Sequence, residues 1–567
     1  MNNLKESLSK ALASAPGMDA LDPSSLAELF DTPPSPEMGD IAIACFKLSK
    51  TLRKSPVVIA SDLAAYLNEN PVDGIEKAEN AGGYLNLFVS DRYRVSILRA
   101  ILDAGADFGK NETGKGKTMV IDYSSPNIAK RFHIGHLGTT IIGNSIKLLH
   151  RFSGYSCVGI NYLGDWGTQY GKLVVAFKHW GNENKIREIG IDELNRLYVL
   201  FGTESEKDPG LLDEARAEFN KLETGDEENL RLWRMFKEIS LKEYMKTYDL
   251  LGIEFDSFNG ESFYSDKMPA VVEELRAKGL LKLDDGASIV DLSEYDMPPC
   301  LILKRDGSSL YPTRDIAAAL WRKKEYNFDK CIYVTSAGQS LHFAQWFKVI
   351  GLMGYDWEDQ LVHVPYGTFS INGEKIASRT GNVVLLDDLF RDAVEKAGAI
   401  IDEKNPDLED RDSVAEAVGI GAVIFNSLLS NRIKDVDFNW DEALNFEGNT
   451  GPYAQYSYAR ACSILRKDPE ELPFPGDPAL CPEEKELITV LSAFPEKVLR
   501  AVKEYEPSVI TRFALDVCQS FNRFYNSCPI RTAGPDEKAV RLGLCRAVKN
   551  ILGSALRLIG LKTPEKI

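Results

Sequence analysis

Thr118-Met-Val-Ile-Asp-Tyr-Ser-Ser-Pro-Asn-Ile-Ala-Lys-Arg-Phe-His-Ile-Gly-His-Leu-Gly138 is the stretch whose reading decides the fold. The compact run Thr118–Ile121 reads as a buried parallel strand. A polar turn, Asp122–Asn127, follows it, and helical periodicity then runs from about His133 to Phe152. Such a strand, turn and helix form one half of an open α/β unit, whose ligands bind beyond the carboxyl ends of strands where helix N-termini meet anions. His133 and His136 are three apart, so a helical turn would place both imidazoles on one face, as donors to phosphate oxygens. Gly135 removes a side chain where a base or sugar would approach the backbone, and Lys130 adds a full charge. The competing reading is two histidines meeting by chance on a helix surface. Only six histidines occur in the chain, and two of them stand here.

Working outward, Ile332–Thr335 and Leu361–Val364 are further strand candidates with helical stretches between them. Alternating strands and helices predict a Rossmann-type, doubly wound catalytic domain over 116–412. Within it, about 181–260 reads as a mostly charged helical insertion. Ahead of it, residues 1–115 mix helices with β-like runs such as Tyr84–Val89, an α+β domain ending near the glycine-rich linker Gly109–Lys117. Beyond it, 413–567 reads as an all-α bundle with helices Ser413–Leu429, Tyr453–Lys467, Pro482–Lys503, Pro507–Asn526 and Glu537–Ile559.

Composition sets outer bounds. With 567 residues, 44% hydrophobic and 27% charged, the chain has material for several cores and is no disordered, collagen-like or disulfide-stapled protein. A net charge of −17 excludes a globally basic nucleic-acid coat, although the stretch from 451 onward is mildly basic. Nine cysteines without a Cys-x-x-Cys pair read as reduced thiols of a cytoplasmic protein, neither a disulfide framework nor a zinc site. The N-terminus, Met1–Gly17, reads as an amphipathic helix and not a signal peptide. No uncharged apolar run approaches the roughly 18 residues of a membrane span. The basic segment Lys538–Leu561 has two readings, a membrane-surface helix or the closing helix of the bundle.

A second phosphate candidate is Lys375-Ile-Ala-Ser-Arg-Thr-Gly-Asn382, where basic residues beside serine, threonine and glycine suit a loop closing on a polyphosphate. Alone it reads equally as a solvated hairpin turn. Together the two segments resemble the paired HIGH and KMSKS signatures of class I aminoacyl-tRNA synthetases. HIGH is intact at His133–His136, while Ser378 stands where the second signature has its pyrophosphate-binding lysine. Ser-Pro-Asn-x-Ala-Lys before HIGH, with an Arg-x-Gly form of the second signature, resembles the arginyl-tRNA synthetase family. So do Gly164–Gln169, Leu222–Asp226, Tyr311–Asp315, Tyr333–Gln339 with His342-Phe, and Thr450–Arg460, in the expected order over nearly the whole chain.

The resemblance implies L-arginine, ATP with Mg²⁺ and no dedicated protein ligands for the metal, and tRNA(Arg) as partners of a cytoplasmic, membrane-free monomer. It assigns charge stabilisation at the α-phosphate to His133 and His136, and the outer phosphates to Lys130, Lys375 and Arg379. ATP is expected on His133, Gly135, His136, Lys375 and Ser378. In that family the lysine ahead of HIGH is held to compensate for the missing one, and tRNA is usually required before the first step.

Arginine itself is expected on Asp122, Ser124, Asn127, Tyr311, Asp315 and Gln339. Here the chemistry offers a check, because a guanidinium needs a planar acceptor taking paired hydrogen bonds. Tyr311 and Asp315, four apart, supply a phenol and a carboxylate if the segment is helical. Asp315 has a second reading as the ion-pair partner of Arg314 or another base. The family's anticodon contacts fall on Tyr453, Gln455, Tyr456 and Arg460, a mix of stacking, amide and cationic groups, with the tyrosines alternatively read as core. The N-terminal block resembles the family's domain for the tRNA elbow. Three rivals remain: another class I synthetase, a non-catalytic RNA-binding paralogue, and a small-metabolite nucleotidyltransferase with the same His-x-Gly-His signature.

Overall fold

The parallel strands β1 (Thr118–Asp122), β2 (Ser156–Ile160), β3 (Lys330–Ser336) and β4 (Leu361–Tyr366) pair in the order β4-β3-β1-β2. They belong to a computed structural model that describes residues 2–18, 21–305, 307–371, 374–375 and 384–567. Met119, Val120 and Ile121 are all buried, the continuous apolar run expected of a strand covered on both faces. The chain steps from β1 outward to β2 and returns on the opposite side as β3. A topological switch point therefore lies between β1 and β3, beyond Asp122 and Ser336. Helix α1 (Ile134–Phe152) follows β1, α2 (Tyr311–Tyr326) precedes β3, and α3 (Ser340–Leu352) follows it.

Between β2 and β3 the helices Glu183–Ile189, Ile191–Lys207, Gly210–Glu223 and Glu227–Leu251 occupy the predicted insertion. Their charged look conceals a small core of Leu194, Leu197, Phe201, Leu232 and Phe236. The antiparallel sheet Leu281–Asp284, Ala287–Val290 and Cys300–Leu303 was not foreseen. Its hairpin turn, Asp285-Gly286, takes positive φ at both residues (45° and 81°), a two-residue turn the dipeptide itself announces.

At the N-terminal end, the strands Phe30–Asp31, Ile41–Ala44, Tyr84–Val89 and Ile75–Ala81 form an antiparallel sheet in that order. Leu4, Leu8 and Leu12 of the first helix bury against this domain's core. The helix Asp91–Ala104 instead faces the C-terminal bundle, where Arg94 Nη1 donates to Thr489 Oγ1 at 2.7 Å.

The helix α4 (Arg411–Leu429) opens the C-terminal part. By length and apolarity it would suffice to cross a membrane, but 72% of that apolar window is buried inside the protein. Strand Val436–Phe438 then pairs in parallel with Phe369–Ile371, so residues past the expected boundary at 413 stay stitched to the catalytic side. The bundle proper is α5 (Gly451–Lys467), α6 (Pro482–Ser492), α7 (Phe494–Glu504), α8 (Ser508–Ser527) and α9 (Pro535–Leu558). One helix was expected over Pro482–Lys503, and two are found. Pro495 has no N–H for the carbonyl of Leu491, so α6 ends and Ala493 turns its N–H to Val490 O at 3.1 Å. The apolar face of α9, including Leu542, Val548, Ile551, Leu552 and Leu556, is buried among its neighbours, which removes the membrane-surface reading.

Candidate active site at the switch point of the sheet

A cavity of about 700 Å³ opens at this switch point, lined among others by Asp122, Asn127, His136, Glu261, Asp315 and Gln339. The turn after β1 that shapes it is strained. Ser124 and Ser125 have φ of 73° and 51°, and Ala129 has 63°, left-handed values costly for side-chain-bearing residues. Hydrogen bonds hold the turn in place. Ser124 N donates to Thr139 Oγ1 at 3.0 Å, and Tyr244 OH donates to the carbonyls of Asn127 and Lys130 at 2.7 Å each. Gly164 is required beside it, since a Cβ there would meet Asn127 Oδ1 at 1.9 Å.

His133 is not in the helix, contrary to the expectation of a shared helical face. It is the N-cap residue of α1, with extended backbone (φ −130°, ψ 165°). Its Nδ1 accepts from Gly135 N at 3.1 Å, and His136 Nδ1 accepts from His133 N at 3.2 Å. The two histidines thus cap the helix reciprocally, a role usually filled by Ser or Thr with Glu. Their rings lie 3.9 Å apart between centroids. Burial pushes His136 down to about 3, and burial with the Lys130 charge lowers His133. Both imidazoles are therefore neutral near pH 7. With Nδ1 accepting, each carries its proton on Nε2, which leaves two N–H donors at a helix N-terminus. Gly135 lines the cavity and has a second use beside the expected one: a Cβ would lie 2.8 Å from Cε1 of His133, so the glycine also makes room for the capping ring.

Three carboxylates face the cavity, and each already has a partner. Asp122 Oδ2 lies 2.8 Å from Arg322 Nη2, with both side chains buried. Glu261 Oε2 lies 2.8 Å from Arg314 Nη1, and Asp315 Oδ2 lies 2.6 Å from His342 Nε2. The open question over Asp315 resolves accordingly: its partner is His342, while Arg314 pairs with Glu261. Burial raises Asp122 against the pull of Arg322, and burial raises Glu261 to about 7 against the pull of Arg314. The Arg322 guanidinium sits among the rings of Tyr162, Tyr264 and Tyr333, 5.1–5.8 Å from their centroids.

Tyr311 starts α2 and is exposed, one helical turn before Asp315. Gln339 is exposed on the turn after β3. Ser124 lines the cavity, but its hydroxyl is taken up by Tyr248 OH and Thr140 Oγ1, both at 2.8 Å. Lys130 Nζ lies 5.4 Å from the centre of the Tyr198 ring and is not among the cavity-lining residues. Lys375 closes the short strand Glu374–Lys375, while Ser378 and Arg379 lie outside the described residues.

The sequence pointed to no role for Glu261 and Arg322, and it placed Arg314 and His342 in quoted motifs without assigning them these partners. Glu261 stands in a 3-10 turn with no motif spacing around it. Buried Asp165 positions that turn, its carboxylate accepting from Ser262 N and Oγ, both at 2.8 Å, and pairing with Lys237 at 2.6 Å.

In the bundle, Tyr456 and Tyr525 are partly exposed and flank the Arg460 guanidinium at 5.0 and 5.1 Å. Tyr453 is half-buried, its hydroxyl accepting from Asn522 Nδ2 at 2.6 Å. Gln455 points inward. It is fully buried, and its amide donates to the carbonyls of Ala417 and Lys562 at 2.9 and 2.8 Å, so it has no donor left for a base.

Family models match all three parts of the chain. The model for class I tRNA synthetases (R), catalytic domain, covers residues 97–440. The DALR anticodon binding domain covers 454–567, and the arginyl tRNA synthetase N terminal domain covers 2–89. The chain belongs to the arginyl-tRNA synthetase family. Its curated relatives include the arginine–tRNA ligases of Alkaliphilus metalliredigens, 48% identical, and Clostridioides difficile, 46% identical, each matched over 100% of both chains. Among solved structures, the Thermus thermophilus arginyl-tRNA synthetase aligns over 100% of both chains with a TM-score of 0.82 at 27% identity. That of Plasmodium falciparum aligns with a TM-score of 0.80 at 24% identity and shows the same fold. The rival readings as a synthetase of another specificity and as a small-metabolite nucleotidyltransferase fall with this assignment.

Proposed function

We propose that the synthetase, which activates L-arginine with ATP and charges tRNA(Arg), binds the amino acid in the switch-point cavity with its guanidinium toward Asp315 and Glu261. The observation that carries this reading is one cavity lined both by two carboxylates, Asp315 and Glu261, and by Gly135 and His136 at a helix N-terminus, with His133 capping that helix beside the lining. The carboxylates take the planar cation, and the helix terminus takes the triphosphate. Tyr311 adds a phenol beside Asp315. Asn127 and Gln339, which line the same cavity, suit the α-amino group, and Ser124 lines it with them. Asp122, neutralised by Arg322, forms the wall of the pocket.

The arginine carboxylate oxygen attacks the α-phosphorus of ATP, and the bond to the bridging oxygen of pyrophosphate breaks. His133 and His136 stabilise the charge gathering on the α-phosphate oxygens, while Lys130, Lys375 and Arg379 meet the outer phosphates with Ser378. Mg²⁺ arrives on those phosphates as part of the substrate, a small hard cation that keeps much of its water. The 2′-OH of the terminal ribose then takes the arginyl group and AMP leaves. No covalent enzyme intermediate is needed, because positioning and charge stabilisation carry both steps.

For the RNA, Tyr456 and Arg460 with Tyr525 form the stacking face for the anticodon, and Tyr453 supports it from behind. We place the elbow-binding domain at 1–115, the catalytic domain from 116 through the strand Val436–Phe438, and the anticodon domain beyond it. The working form is a cytoplasmic monomer without a membrane partner.

Pyrophosphate exchange with L-arginine, measured with and without tRNA(Arg), tests the reading. Exchange under at least one condition is expected. No exchange under either would remove the catalytic reading and leave an RNA-binding paralogue, and exchange with lysine or glutamate would move the specificity.

A further inference from the structure

Two sulfurs in the C-terminal bundle lie close together although nothing in the catalytic cycle uses them. Cys481 is the N-cap residue of α6 and Cys528 the C-cap residue of α8. Their Sγ atoms are in contact at 3.2 Å, and no other two cysteine sulfurs among the described residues make such a contact. Both residues stand at helix ends in extended backbone (ψ 165° and 93°), and their sulfurs need to close by only about an ångström to reach a bond of about 2.05 Å. Cys481 is partly exposed. Cys528 is buried, yet it lines a cavity of about 510 Å³ that also holds Arg460, Lys467, Tyr525 and Arg531. An oxidant can therefore reach one sulfur while the other waits behind it.

Glu484 completes a trio with the two thiols whose ligand atoms lie within 4.8 Å of one another, a geometry that also invites a soft cation. The surroundings disfavour that occupant. Glu484 Oε1 is held by Arg541 Nε at 2.7 Å and Oε2 by the N–H of Cys481 at 3.0 Å. Both carboxylate oxygens are thus engaged, and a buried guanidinium stands where a metal would bring two more positive charges.

We propose that Cys481 and Cys528 form a reversible, oxidant-responsive disulfide that clamps the start of α6 to the end of α8. With hydrogen peroxide as oxidant, the Cys481 sulfur attacks one peroxide oxygen, the O–O bond breaks, and the departing hydroxide takes the thiol proton, so a sulfenic acid and water form. The Cys528 sulfur then attacks the Cys481 sulfur, the S–O bond breaks, and the departing hydroxide takes the Cys528 proton as a second water. Two thiols lose two protons and two electrons, and the peroxide gains them. Burial pushes the Cys528 thiol up to about 12 and raises Cys481 as well, which keeps both sulfurs mostly protonated and slows their attack on an oxidant. The bridge would span 47 residues of sequence, and closing so long a loop restricts the unfolded chain.

The test treats the full-length protein with hydrogen peroxide, removes the oxidant, and counts thiols in denaturant alongside peptide mapping. The count is expected to fall by two from nine, with a Cys481–Cys528 crosslinked peptide that dithiothreitol releases, and the oxidised protein should melt at a higher Tm. Cys481→Ser and Cys528→Ala should each keep all their remaining thiols under the same treatment. The wild-type count alone decides the matter if either variant misfolds. An unchanged count, a sulfinic acid on Cys481 beside free Cys528, a Tm that does not rise, or stoichiometric zinc held by both thiols in the untreated protein would each overturn the proposal.

Discussion

His342 Nε2 sits 2.6 Å from Asp315 Oδ2, so the carboxylate at the centre of the proposed arginine pocket is already held before substrate arrives. Asp122–Arg322 and Glu261–Arg314 repeat the pattern. Both arginines and Asp315 come from α2, and Asp315 and Arg322, two turns apart, line the same cavity. A guanidinium entering this pocket meets a site built to keep buried carboxylates satisfied, since unpaired buried charge is costly.

Asp315→Asn should cost about 2–4 kcal/mol in binding arginine, on the order of 30- to 1,000-fold in kcat/KM, because a charge-assisted fork becomes a neutral amide contact. The loss should fall mainly on KM for arginine, with KM for ATP nearly unmoved. Steady-state exchange with each substrate varied separately checks the split.

Glu261 supplies the pH dependence. Raised from 4.5 to about 7, it is protonated over more of the acid range than an ordinary carboxyl. KM for arginine should therefore rise as pH falls through about 7, and Glu261→Gln should show a higher KM that no longer changes across that window. The same shift means the folded chain holds this proton more tightly than the unfolded chain does. Its contribution to stability is therefore lost as pH rises from 4.5 to about 7. Arginine titrations at several pH values, and unfolding curves over the same range, test the two halves.

The histidine cap predicts a coupled defect. Gly135→Ala should displace the His133 ring from its place on the helix terminus and lower kcat by on the order of 100-fold, the cost of a misplaced oxyanion-type donor. His133→Ala should do the same and also cost about 1 kcal/mol of stability through the lost cap. KM for arginine should stay near its wild-type value in both. Single-turnover adenylate formation together with thermal melts separates the effects.

The Asp122–Arg322 pair is expected to act on folding first. Arg322→Met should destabilise the chain by about 3–5 kcal/mol, because it leaves Asp122 buried without its partner. The double variant Asp122→Asn, Arg322→Met should recover much of that loss. Denaturant unfolding of the single and double variants measures the coupling directly.

Arg460→Ala should raise KM for tRNA by on the order of 5- to 100-fold, the worth of one stacking contact of about 1–3 kcal/mol, while arginine binding stays unchanged. Gln455→Ala should instead lower stability with little change in that KM, because its amide closes two backbone carbonyls of the core. Aminoacylation kinetics beside melting curves will tell the two residues apart.

The parallel sheet and its first helix were legible in the chain because apolar runs such as Met119–Ile121 and the 3.6-residue period of α1 are local signals. The same holds for the Asp285-Gly286 hairpin, although its short strands left it unread. Pro495 likewise announces the break between α6 and α7. The pairings of Glu261, Arg314, Arg322 and His342 carried no such signal, even where the residue stood in a motif, for their partners lie 27 to 200 positions away.

By itself, then, the sequence determined the parallel strands, the long helices and the helix terminus with His133 and His136, since hydrophobic period and turn chemistry act between neighbours in the chain. Tertiary structure alone decided which charge faces which. It gave Asp315 to His342 and Glu261 to Arg314, turned Gln455 inward, made His133 a cap, and brought the sulfurs of Cys481 and Cys528 together. Pairings of that kind are settled by burial, because a polar group taken from water must find its partner among whatever the packed elements place beside it.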